Sequence, residues 1–160
     1  MRLRNMTGIY LLHGEDVFLL YRKNGRVVTD TYVPSAGGHF EKDELNDARA
    51  CVLRELNEEL HLTEAALTDF SLRYVCLRNN GDEVRQNYYF FARLKDEYAH
   101  LPLSNEGTCV RVPLEKCLEY PMPVTAKLMM RHYLATGRYT NALYGCIVSG
   151  ENATFVEMNP

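Results

Sequence analysis

Pairs of extended apolar segments joined by glycine-containing turns are the feature that most constrains the fold of this chain. Residues 6–22 and 70–94 each contain two β-branched or aromatic runs, separated by Gly14-Glu15 in the first pair and Asn80-Gly81 in the second. Short turns of this kind join antiparallel neighbours, so each pair predicts a β-hairpin. The predicted strands are residues 6–13, 16–22, 70–78, 84–94 and 108–112.

Two segments have the pattern of α-helices. Residues 47–60 contain no glycine or proline, and Asn46 or Asp43 is available as the N-cap. Residues 123–136 begin with proline and are followed by Gly137, which is typical of helix boundaries. The order strands, helix, strands, helix, strands predicts an α/β fold in which a mixed β-sheet lies between helices.

The segment before the first helix is expected to be less regular. Asn24-Gly25 predicts a turn, and residues 26–33 predict an extended stretch. Residues 34–38, with the sequence Pro-Ser-Ala-Gly-Gly, predict a flexible loop that breaks any strand. Glycines at the end of this loop would let a backbone carbonyl approach a ligand closely.

The C-terminal residues have the pattern of a further hairpin. Residues 143–148 and 153–156 are apolar runs on either side of a Ser-Gly-Glu-Asn turn. We expect this hairpin to pack on the rest of the domain or on a second copy of the chain, as in a homodimer. Residues 1–160 are expected to form one domain, with the hairpin as an extension at residues 139–158.

Charge and cysteine content exclude several classes of protein. The net charge of −3 argues against a binder of nucleic acid polymers or membrane surfaces, which usually presents a basic face. The apolar run near the N-terminus is too short to span a membrane, and no small-residue cleavage site follows it. Five cysteines without a C-x-x-C pair indicate reduced thiols and a cytoplasmic protein.

Three glutamates share one face of the first predicted helix. Glu55, Glu58 and Glu59 are spaced i, i+3 and i+4, which places them within about 100° of one another around the helix. Carboxylates so placed repel one another, and a divalent cation such as Mg²⁺ would offset that repulsion. A solvated acidic face is the alternative that this spacing alone leaves open.

Together with the upstream glycines, this helix resembles the Nudix box, whose pattern is G-x5-E-x7-R-E-U-x-E-E-x-G-U with U an aliphatic residue. The matching residues are Gly38, Arg54-Glu55-Leu56, Glu58-Glu59 and Leu62. The resemblance is close over residues 37–62, and its R-E-U-x-E-E core is a specific motif. It implies a Nudix-like α/β/α sandwich with a mixed β-sheet between helices.

The chain departs from the box at two places. His61 replaces the last box glycine, at a helix end where histidine adopts the left-handed backbone conformation at some cost. The loop before Arg54 is two residues longer than the pattern, so either Asn46 or Glu44 takes the place of the first box glutamate. We expect Glu44 to contact Arg54 across this longer loop.

The resemblance also implies roles for the matching residues. Glu58 and Glu59, with a backbone carbonyl of Gly37, would hold Mg²⁺, for which Mn²⁺ is an alternative. Glu55 would share the metal ion or act as the general base, and Arg54 would orient Glu55.

Two residues outside the box are further candidates. Glu106 precedes the strand at residues 108–112, where similar proteins carry an acidic residue that completes the metal site or acts as the base. Arg22 ends the second strand, where similar proteins carry an arginine that meets a substrate phosphate, which its planar fork can bind with two hydrogen bonds. An exposed loop glutamate and a surface arginine are the alternatives that position alone leaves open.

The implied activity is hydrolysis of a nucleoside diphosphate linked to another group. The overall likeness is to MutT-like members, which convert nucleoside triphosphates, including oxidised ones, to the monophosphate and pyrophosphate. A nucleotide sugar or a dinucleoside polyphosphate is an alternative small-molecule substrate, and a non-catalytic nucleotide-binding Nudix module is an alternative function. Retention of all three helix glutamates favours the enzyme, because such modules usually lose them.

Overall fold

The computed structural model describes residues 1–23, 30–100 and 107–160. The β-strands are β1 (Arg2–His13), β2 (Asp16–Lys23), β3 (Asp30–Pro34), β4 (Ala36–His39), β5 (Leu67–Asn79), β6 (Glu83–Leu94), β7 (Thr108–Pro113), β8 (Leu143–Ser149) and β9 (Asn152–Met158). The α-helices are α1 (Ala48–Leu60) and α2 (Val124–Ala135). Among the described residues, no helix is both long and apolar enough to cross a membrane.

The strands form one mixed sheet in the order β3-β2-β1-β6-β5-β8-β9, with β4 also paired to β1 and β7 also paired to β2. Strands joined by tight turns pair antiparallel, whereas β1 pairs parallel with β6 and β5 pairs parallel with β8. A parallel pair needs a long connection, and the two connections here contain α1 and α2 respectively. The mixed sheet confirms the predicted α/β fold.

Alternate side chains of the central strands face different helices. Ile9 and Leu11 lie in the core against α1, whereas Tyr10 and Leu12 lie in the core against α2. A strand presents successive side chains to opposite faces of its sheet, so the two helices cover opposite faces. This arrangement is the α/β/α sandwich that the sequence predicted.

β1 changes its antiparallel partner along its length, and the sheet forks where the change occurs. Residues 6–9 pair with β4, and residues 11–13 pair with β2. Ser35 lies at this fork, between β3 and β4, and is fully buried. Its hydroxyl accepts a hydrogen bond from the Leu11 amide at 3.0 Å and donates one to the Phe18 carbonyl at 2.6 Å. The side chain thus links the two strands where their ladder ends.

The predicted flexible loop at residues 34–38 is wrong. These residues form the end of β3, a bend at Ser35 and most of β4. A β-carbon at Gly37 would collide with the backbone of Thr7 in the paired strand. Gly37 therefore serves close approach between strands, a use that the sequence pattern of tandem glycines does not distinguish from a turn.

Other boundaries lie near the expected ones. The N-cap of α1 is Asp47, whose carboxylate accepts a hydrogen bond from the Ala50 amide at 2.9 Å, and not Asn46 or Asp43 as expected. At the other end of α1, His61 has a φ of 56°, which confirms the left-handed helix end. The turn predicted at residues 24–25 and the first part of the extended stretch lie outside the described residues.

β8 and β9 form the predicted C-terminal hairpin. Parallel pairing of β8 with β5 makes the hairpin a continuation of the sheet, which confirms that it packs on the rest of the chain. Tyr144, Cys146 and Val148 of β8 are buried in the core that contains α2. All five cysteines are buried and free of disulfide bonds, as expected for reduced thiols.

Candidate functional site

Helix α1 carries the three glutamates at the border of the core that it covers. Leu56 and Leu60 pack into that core. The side chains of Glu55 and Glu58 are 13% and 57% exposed, and Glu59 is 5% exposed. The three carboxylates therefore share one helix face but differ widely in their contact with solvent.

Arg54 forms a network of hydrogen bonds with three glutamates. Its Nε and Nη2 atoms donate to the two carboxylate oxygens of Glu44 at 2.6 and 3.0 Å. Its Nη1 atom donates to Glu55 Oε1 at 2.8 Å and to Glu58 Oε2 at 3.1 Å. Nη2 also donates to the His39 carbonyl at 3.0 Å. These contacts confirm the expected pairing of Glu44 with Arg54 and hold the guanidinium in one orientation beside Glu55.

The same contacts fix the ionisation of the pair. Hydrogen bonds from Arg54 lower the pKa of Glu44 to about 2, although partial desolvation of the carboxylate acts in the opposite direction. The contact with Glu44 also raises the pKa of Arg54. Both groups are therefore charged at neutral pH. Burial raises the pKa of the neighbouring Cys51 thiol to about 11, which fits a structural thiol and not a nucleophile.

The glycines of β4 lie directly against the glutamates of α1. The amide of Gly37 donates a hydrogen bond to Glu59 Oε1 at 3.3 Å. A β-carbon at Gly38 would collide with the carboxylate of Glu55. Glycine at both positions thus forms a cradle for the two carboxylates, and any larger residue would fill it.

The carboxylate oxygens of Glu55, Glu58 and Glu59 suit a divalent metal ion, but the three carboxylates do not all point in the same direction. Within the described ranges, no three histidine, cysteine or acidic side chains are grouped closely enough to hold a metal ion. Glu55 and Glu58 turn towards Arg54, whereas Glu59 turns towards Gly37. Mg²⁺ prefers carboxylate and carbonyl oxygens as ligands. The glutamates of α1 and the carbonyl of Gly37 are ligands of this type.

A pocket of about 220 Å³ lies beside this face, between the sheet and the first turn of α2. Glu59 and Gly37 contribute to its lining, and so does Arg22. Apolar side chains of β2 and β3, among them Leu20 and Val33, form another part of the wall. The pocket therefore combines a carboxylate, a guanidinium and apolar surface in one concave site, as small-molecule sites usually do.

The structure brings together only some of the residues that the sequence proposed for the site. Arg22, Gly37 and Glu59 line the pocket, whereas Arg54, Glu55 and Glu58 lie outside its lining. Glu106 lies outside the described residues, so its role stays a prediction.

The pocket lining also contains polar residues that were not predicted from the sequence, among them Arg78, Arg85 and Asn87. A sequence pattern for two of them exists, because Arg85, Asn87 and Tyr89 are two residues apart and so share one face of β6. Arg78 could be placed beside them only once the register of β5 on β6 was known.

Comparison with known proteins adds a family match. The model of the NUDIX domain matches residues 2–133. A comparison with curated proteins gave no match.

Solved structures with the same fold include several with low sequence identity. The crystal structure of a mutator MutT protein from Bacillus halodurans is 19% identical, with a TM-score of 0.69 over 95% of this chain and 97% of that one. A MutT structure from a study of Aliivibrio salmonicida and Vibrio cholerae is 16% identical, with a TM-score of 0.64 over 84% and 98%. A C. elegans Ap4A hydrolase in a binary complex is 14% identical, with a TM-score of 0.67 over 86% and 99%. At such identities the likeness establishes a common fold.

Proposed function

This chain belongs to the Nudix family of pyrophosphohydrolases, and on that premise we propose that it cleaves nucleoside triphosphates to the monophosphate and pyrophosphate. The pocket that joins Glu59 and Gly37 to Arg22 is the observation that carries the proposal. Carboxylates suit the cation of a metal–diphosphate complex, and an arginine suits its phosphate oxygens. MutT proteins are among the solved structures that share the fold, which supports this substrate class.

Each polar residue of the site has a separate role in this proposal. Glu55 is the general base that takes a proton from the attacking water, because it lies on the glutamate face and is held by Arg54 at 2.8 Å. Arg54 orients this carboxylate, and Glu44 fixes Arg54 in turn. Arg22 binds a phosphate of the substrate from the pocket wall.

Nudix enzymes generally use divalent metal ions, and we propose Mg²⁺ for this chain. Glu58, Glu59 and the Gly37 carbonyl would hold it. When bound, the ion neutralises charge on the diphosphate and on the leaving group. The apolar part of the pocket would shield the nucleoside from water.

Product analysis tests which bond is broken. The purified chain is incubated with Mg²⁺ and a panel of nucleoside triphosphates, and the products are separated by anion-exchange chromatography. We expect the monophosphate and pyrophosphate. Release of the diphosphate and phosphate, or no turnover of any member of the panel, would contradict the proposal.

Single-turnover kinetics test the role of Glu55. The change Glu55→Gln keeps the shape of the side chain and removes its basicity, so we expect kcat to fall by about 10²–10⁴-fold. Glu151→Gln, in the exposed β8–β9 turn, is the matched control and should leave kcat unchanged. Near-normal turnover by Glu55→Gln would transfer the role of base to another acid, of which Glu106 is the first candidate.

A further inference from the structure

Two arginines lie directly opposite each other in the pocket. Arg78 of β5 and Arg85 of β6 are register partners in the antiparallel ladder, and both line the pocket. Like charges directly opposite on neighbouring strands destabilise a sheet. A structural role in the sheet therefore does not account for the pair.

The acidic residues around this pair do not neutralise it. Glu83 is the carboxylate beside Arg85, to which Arg85 Nε donates at 2.6 Å. The same carboxylate lies 3.8 Å from Arg2 and 3.6 Å from Arg4, so three guanidinium groups share one acid. In the part of the chain that the structure describes, the side chain of Arg78 makes no hydrogen bond and no ion pair. This end of the pocket is therefore strongly cationic in a chain whose net charge is −3.

The remaining neighbours favour an anion with hydrogen-bond acceptors. Asn87 lines the pocket two residues after Arg85 on the same face of β6, and its amide adds a neutral donor. Met6 and Val124 contribute apolar surface to the pocket wall, which lowers the local polarity and strengthens charge interactions. Two guanidinium groups and an amide match the several oxygens of a phosphoryl group.

We propose that Arg78, Arg85 and Asn87 form a second phosphoryl subsite, which binds a phosphate of the substrate other than the one held at Arg22. The inference rests on the proposed function, because the same pocket contains Glu59 and Gly37. The preferred substrate is then a nucleotide with an additional phosphoryl group far from the bond that is cleaved. Two sources share this chemistry: a phosphate on the ribose, and the distant phosphate of a longer polyphosphate chain.

Phosphate binding without metal tests the subsite independently of turnover. Inorganic phosphate is titrated into the ¹⁵N-labelled protein in EDTA at constant ionic strength, and the shift of the Asn87 amide gives the Kd. We expect Arg78→Gln and Arg85→Gln each to weaken this Kd by about tenfold or more, since each removes a charge-assisted contact. Arg131→Gln, an exposed arginine of α2, makes the same change in net charge and should leave the Kd unchanged. A Kd that is equal in wild type and both pocket variants, or no saturable shift of Asn87, would overturn the subsite.

Kinetics with Mg²⁺ then identify the source of the phosphoryl group. The substrates are a nucleoside triphosphate, the same triphosphate with a 3′-phosphate, and a dinucleoside tetraphosphate. We expect Arg78→Gln to raise KM by tenfold or more for one of the two longer substrates, with little change in kcat and little effect on the plain triphosphate. The substrate whose KM rises is the source, and unchanged KM for both would overturn the role in substrate binding. If no substrate is turned over, the proposed function is wrong. The phosphate titration still shows whether Arg78 and Arg85 bind a phosphoryl group.

Discussion

The contact between Glu44 and Arg54 is the residue-scale feature on which the position of Glu55 depends. Glu44 accepts two hydrogen bonds from Arg54, and the remaining Nη1 atom of Arg54 contacts Glu55 and Glu58. One side chain on the 3₁₀ turn before α1 thus orients the network that α1 carries. The contact also ties part of the stability of the chain to pH.

Stability should depend on the protonation of Glu44. Its folded pKa is lowered from 4.5 to about 2, so its contribution is fully present above pH 4.5 and is lost as the pH falls through about 2. We expect Glu44→Gln to be less stable at neutral pH and to show a flatter decline in the free energy of unfolding between these pH values. Urea unfolding at a series of pH values measures this decline. Glu151→Gln should retain the wild-type slope, and parallel curves for Glu44→Gln and wild type would refute the assignment.

Metal affinity should depend on Glu59 more than on an exposed acid. Glu59 is buried and accepts a hydrogen bond from the Gly37 amide. Water therefore has little access to replace its carboxylate as a ligand of the metal ion. We expect Glu59→Gln to weaken Mn²⁺ binding by at least tenfold in a calorimetric titration, because the neutral amide is a poorer ligand for a hard cation. Glu119→Gln, an exposed control, should bind as the wild type does. Equal affinity of all three proteins would remove α1 from the metal site.

Sequence patterns predicted the site residues on helix α1 but not those on the strands β5 and β6. The i, i+3, i+4 spacing put Glu55, Glu58 and Glu59 on one face, since helix periodicity is local. The direction of each carboxylate depends on Arg54 and on β4, which are tertiary contacts. The pocket arginines were missed for a related reason: strand register decides which side chains become neighbours.

At the scale of elements, the fork of the sheet depends on Ser35. Its hydroxyl bridges the Leu11 amide and the Phe18 carbonyl and has no contact with solvent. The flexible loop predicted at residues 34–38 was wrong because proline, serine and glycine are typical of loops. Here they instead end one strand, bridge a fork and permit a close pairing.

Removal of this hydroxyl should destabilise the chain. Ser35→Ala leaves a buried donor and a buried acceptor without their bridge, which costs about 2–3 kcal/mol. Denaturant unfolding should show a lower midpoint with an unchanged slope. Ser71→Ala, at an exposed position of β5, is the control and should change stability by less than about 0.5 kcal/mol. Equal midpoints for both variants would show that the fork does not need the serine.

At the scale of the whole molecule, the C-terminal hairpin is part of the sheet. We propose that residues 1–160 form one cooperative domain, because β8 pairs with β5 and three of its side chains lie in the core under α2. The sequence predicted the hairpin from its turn and its apolar runs. Its partner strand was not predictable, because a parallel pairing across a long connection leaves no local pattern.

Deletion of residues 139–160 should abolish cooperative unfolding. Each buried side chain of β8 contributes about 1.5–3 kcal/mol, and domains of this size are stable by only about 5–15 kcal/mol. Circular dichroism during thermal unfolding measures the loss. A finer comparison is Val148→Ala, at a buried position, with Val156→Ala, which is 61% exposed. The first should cost about 2 kcal/mol and the second almost nothing. A truncated chain with a normal unfolding transition would contradict the single-domain proposal.

The positions of the pocket and of the glutamates have a consequence for how substitutions affect specificity and chemistry. Helix α1 and its glutamates cover one face, and the pocket extends from Glu59 and β4 to β5, β6 and the first turn of α2. Substitutions on β5, β6 or the start of α2 can therefore alter which molecule is accepted without disturbing the residues that perform the reaction. A chain built in this way can acquire a new specificity while its chemistry is inherited unchanged.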